Sequence, residues 1–112
     1  MTRADQFSYI ESARIAILSW AHENGIPLHR VEFVVPFVPN DFGLSVWFFY
    51  VTDEQRLRGD ELGSSAEVVA EFNRKLRSAG YPGEWLTLMT FNIDSHEHVV
   101  REYEGSYFYR LR

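Results

Sequence analysis

The nine residues "LSVWFFYVT", positions 44–52, decide how this chain folds. They are β-branched or aromatic almost throughout and apolar at odd and even positions alike. That pattern suits a strand in the middle of a sheet with cover on both sides. Leu44, Val46, Phe48 and Tyr50 would share one face, and Trp47, Phe49 and Val51 the other. Just before it, "VPNDFG" (38–43) has the Pro, Asn, Asp and Gly of a turn. Before that, residues 31–38 alternate, with Val31, Phe33, Val35 and Phe37 on one side. Pro36 has no N–H to give a ladder, which predicts an edge strand or a bulge there.

Working outward, residues 5–24 carry Phe7, Ile10, Ala13, Ile17 and Ala21 at helical spacing, with Gly25 and Pro27 to end the helix. Residues 53–65, "DEQRLRGDELGSS", are polar and broken by two glycines, and read as a loop with at most one helical turn. A second helix then starts at Ser64, which with Glu67 fits a capping box, and runs through Val68, Val69, Phe72, Leu76 and Ala79 to Gly80. Residues 84–93, "EWLTLMTFNI", alternate as a third strand. The order predicts one α+β domain over residues 1–112: a small antiparallel sheet of three or four strands packed by two long helices and a short C-terminal one.

Composition narrows the function. A chain of 112 residues has room for one core. Sixteen acidic residues face eleven basic ones, for a net charge of −5, and Lys75 is the single lysine. Such a balance disfavours nucleic acid and anionic lipid as partners, since both need cationic surface. No run approaches the length of a membrane span, and the start "MTRADQFSYIESARIA" lacks the basic and apolar regions of a signal peptide, so a cytoplasmic protein is expected. The absence of cysteine removes thiol catalysis, thiolate metal sites and disulfides.

The segment "DSHEHVVREYEG", residues 94–105, mixes histidines with carboxylates. On a helix, however, His96 and His98 point about 200° apart and cannot share an ion. Asp94 and Glu97 read instead as an acidic capping box, followed by a short stripe of Val99, Val100 and Tyr103. Metal, cofactor and catalytic residues are therefore all expected to be none. No G-x-S-x-G, phosphate loop or dinucleotide fingerprint occurs either. The ending "YEGSYFYRLR" puts tyrosines beside arginines, a composition enriched in binding hot spots. Its spacing fits a strand (Tyr107, Tyr109, Leu111) and a helix (Tyr103, Tyr107, Leu111) equally.

Taken in order, an N-terminal helix, "VWFFY", a polar stretch, "FNRKLRSAGYPGEW", "LMTFNIDS" and "YEGSYF" resemble the small bacterial immunity proteins of the YezG-like kind. The resemblance implies a cytoplasmic α+β domain that binds and neutralises a cognate toxin, often a nuclease. It carries over no binding residues. A basic toxin would meet the carboxylates Asp53, Glu54, Asp60, Glu61, Asp94, Glu97, Glu102 and Glu104, with Trp47 or Tyr107 as aromatic anchors. Pairing of two copies through the aromatic sheet face is the alternative, and a small metal-dependent hydrolase using His96 and His98 the third reading.

Overall fold

A computed structural model describes residues 2–112. The chain is an α+β sandwich with elements in the order α1 (Arg3–Glu23), β1 (Leu28–Val34), β2 (Leu44–Tyr50), α2 (Asp53–Leu62), α3 (Ser64–Ala79), α4 (Gly83–Leu86), β3 (Met89–Ser95), α5 (His96–Tyr103) and α6 (Tyr107–Arg110). The sheet order is β1-β2-β3, so β2, the "LSVWFFY" segment, is central as its composition predicts. β1 pairs with it antiparallel, whereas β3 pairs parallel, from Leu44 beside Met89 to Tyr50 beside Ser95. The sheet is thus mixed rather than antiparallel. A parallel partner needs a long crossover to bring the chain back to the same end, and α2 to α4 supply it.

The inner face is apolar. Leu44, Val46, Phe48 and Tyr50 are buried with Val31 against Ile10, Ala13 and Ile17 of α1 and Val68, Phe72 and Leu76 of α3. The Phe48 and Phe72 rings meet edge to face at 5.5 Å. Both helices keep the stripes their spacing predicts, with one exchange. Phe7 is half exposed, and Gln6 is buried in its place. The Gln6 amide donates to the Phe42 carbonyl and to the Tyr81 hydroxyl, both at 3.0 Å, so an otherwise costly buried group is satisfied and ties α1 to two loops.

Three further expectations about element boundaries fail for identifiable reasons. β1 stops at Val34, leaving Phe37 fully exposed. Beyond it, the Arg3 guanidinium collects the carbonyls of Pro36, Val38 and Asp41 at 3.2, 3.1 and 2.8 Å, which takes those groups away from any ladder. The third strand starts at Met89, because Trp85 lies in the single turn α4, stacked on Phe42 at 4.2 Å and buried. Residues 53–62 form a ten-residue helix, not a loop.

Gly59 misleads because it is a packing glycine. A Cβ there would lie 2.4 Å from the Tyr50 hydroxyl, which is itself bonded to Ser65 Oγ at 2.9 Å. The helix ends at Gly63, whose φ of +82° is left-handed, and α3 departs from the same residue. Ser64 therefore lies inside α3, and no side chain caps it. Residues 107–110 form a helical turn, resolving the double spacing of the C-terminus.

Candidate interaction surface

The outer face of the sheet is covered at one end only, by α5 and α6. Their anchorage begins in β3, where Asp94 is in register with Phe49. Asp94 is buried and its carboxylate accepts from the Ser95 N–H (2.8 Å), His98 Nδ1 (2.9 Å) and Arg110 Nε (2.6 Å). Burial alone would raise its pKa, but these bonds outweigh it and hold the group below the ordinary carboxylate value. Asp94 is thus not the cap expected of it. The cap falls one residue later, on Ser95, whose Oγ accepts from the His98 N–H at 3.0 Å.

Glu97 does not close a box with Asp94 either. Its carboxylate reaches across to the Asp53 N–H at 3.0 Å, at the start of α2. In return Asp53 accepts from Ser95 Oγ and, at 2.8 Å, from Arg101 Nη1, which together lower its pKa. Strand ends β2 and β3 and helices α2 and α5 are thereby laced together by side chains far apart in sequence.

The two histidines diverge, as helical geometry requires. His96 Nδ1 meets the Tyr107 hydroxyl at 2.7 Å, and its ring lies 4.5 Å from that of His29. His98 faces Asp94 instead. Partial burial, then the neighbouring His96 and Arg30, lower the His29 pKa. Among the described residues, no group of three or more His, Asp or Glu is placed to hold a metal ion.

The expected contact residues thus fall into two sets. Asp53, Asp94, Glu97, Trp47 and Tyr107 have structural partners. Arg110 lies over the Trp47 ring at 4.4 Å, and Tyr107 packs edge to face on Phe49 at 4.8 Å beneath the Arg30 guanidinium. Phe49 is fully buried, so the chain itself occupies this part of the aromatic face. Glu54, Asp60 and Glu102 are exposed beside Arg58, Arg56 and Arg101. Glu61 and Glu104 are exposed, with no ion pair among the described residues.

Exposed apolar side chains lie on these helices: Leu57 and Leu62 on α2, and Val100 on α5 one turn from Glu97, while Glu104 is the left-handed residue that ends α5. Arg110 and Ser95, which organise the region, escaped the sequence reading. The only signal was an arginine among tyrosines, which does not reveal its carboxylate.

No family model matches the chain, and neither a curated protein nor a solved structure matches it.

Proposed function

We propose that this chain is a noncatalytic binding protein of the immunity type, which occludes a basic toxin domain through the surface of α2 and α5. The observation that carries the reading is the makeup of that surface. Across α2, α5 and their flanks, the carboxylates of Asp53, Glu54, Asp60, Glu61, Glu97, Glu102 and Glu104 outnumber the guanidiniums of Arg56, Arg58, Arg101, Arg110 and Arg112. Exposed leucines and a valine lie on the same two helices. Acid around apolar side chains steers a basic partner and then buries area against it. The lacing beneath keeps the surface rigid before contact, which lowers the entropic cost of binding.

The test is co-expression with the product of the adjacent upstream gene, scored by growth and by size exclusion. A product that is toxic alone and forms a harmless complex with this chain supports the reading. Absence of both toxicity and complex overturns it. Within such a complex, Glu61→Lys and Glu104→Lys should each weaken binding by about tenfold at low salt and less at high salt. Glu67→Lys on α3 should leave it unchanged.

A further inference from the structure

Beneath the acidic rim lies a cleft lined by arginines from three elements. We propose that the cleft between α2, α5 and α6 binds a small phosphate-type oxyanion. This does not rest on the immunity reading and can fail independently of it.

The cleft, of about 390 Å³, is lined by Arg56 from α2, His98 and Arg101 from α5 and Arg110 from α6, with Leu57 and Ile93 as its apolar walls. It opens where the parallel strands β2 and β3 end and their chains turn into helices, the crevice in which parallel sheets place ligands. Cationic side chains from three elements converge there against two carboxylates, Asp53 and Asp94, in a chain of net charge −5.

Those carboxylates hold the arginines without exhausting them. Asp94 takes only Nε of Arg110, and Asp53 only Nη1 of Arg101, whose Nε turns to Glu102. Arg56 has one long contact, 3.5 Å from Nη1 to Asp60. Both terminal nitrogens of Arg110, Nη2 of Arg101, and Nε and Nη2 of Arg56 donate to no described residue. Donors arriving from three directions match a tetrahedral oxyanion better than a planar carboxylate, which a single fork satisfies.

His98 adds selectivity. The Asp94 carboxylate accepts only, so Nδ1 carries a proton, and the neutral form of the imidazole offers Nε2 as an acceptor. An acceptor among guanidiniums suits an oxyanion that keeps a proton, as monohydrogen phosphate does and sulfate does not.

The experiment titrates the whole chain with inorganic phosphate, sulfate and glycerol phosphate at constant ionic strength, by calorimetry and by NMR of the arginine side chains. Saturable one-to-one phosphate binding is expected, weakened about tenfold in Arg56→Gln and more in Arg56→Gln/Arg101→Gln, since each charge-assisted hydrogen bond contributes on that scale. Sulfate should bind more weakly than phosphate. Tighter binding of glycerol phosphate assigns the site to a phosphate ester, and tighter inorganic phosphate to the free ion. No saturable binding, or an affinity unchanged in Arg56→Gln, overturns the proposal. Arg56 has a single exposed ion pair, so that variant keeps its fold even if loss of the Arg101–Asp53 bond unsettles the double one.

Discussion

The two faces of the sheet are held by different physics. The inner face is closed by α1 and α3 through aliphatic and phenyl contacts that need only volume and apolarity. The outer face is closed at one end by α5 and α6 through a few directional bonds: Arg110 to Asp94, Arg110 over Trp47, His96 to Tyr107. The first arrangement tolerates repacking and resists acid. The second depends on particular groups and on their charge states. The polar face is thus where local opening should start, and it adjoins the proposed interface.

The comparison breaks most sharply at Phe72, which is fully buried against Phe33 and Phe48. Phe72→Ala should cost about 3–5 kcal/mol in chemical denaturation and lower the signal of all elements together. Gly59→Ala should cost about 1–3 kcal/mol, because overpacking against Tyr50 exceeds the gain in helix propensity. A stabilised variant would show that Tyr50 yields.

On the polar face, Arg110→Gln should cost about 1–3 kcal/mol by leaving the Asp94 charge poorly paired, and should expose Trp47 to solvent quenchers. Adding Asp94→Asn to it should recover part of the loss, and a double-mutant cycle measures the coupling.

Acid separates the faces without mutation. Asp94 and Asp53 have pKa values below those of the unfolded chain, so their stabilisation is fully present above the ordinary carboxylate value of about 4 and is lost as pH falls through the lowered values. The melting temperature should hold down to about pH 5 and drop as the pH falls below about 4, with a shallower drop in Asp94→Asn. The smallest effect belongs to His29, whose NMR titration should have its midpoint below the ordinary imidazole value. A midpoint at or above it would mean a ring more open to water, or farther from His96 and Arg30, than described.

The same division explains what could be read from the residues in advance. Stripes and alternation report burial, so α1, α3, β1 and the central strand are legible, because the inner face consists of little else. The helix at 53–62 is not, since only Gly59 is buried in it and glycine signals a break when its neighbour Tyr50 is unknown. Strand direction is hidden too: Met89 to Ser95 alternates identically whether it runs with β2 or against it. The Asp94–Arg110 pair spans sixteen residues and joins two elements whose approach no local pattern encodes. The carboxylates of the expected interface were legible as charge. Their division into laced and free groups was not, because it depends on which guanidinium each one meets.

The parallel pairing also has a consequence in time. β1 and β2 can zip as soon as the connection at 35–43 closes, but β3 must wait for the whole crossover at 51–88 to be made and folded back. During synthesis the "VWFFY" strand stands with one edge open until the last fifth of the chain emerges. That interval is when the nascent protein is most prone to pair with a neighbour, and docking of β3 with its α5–α6 cap brings it to an end.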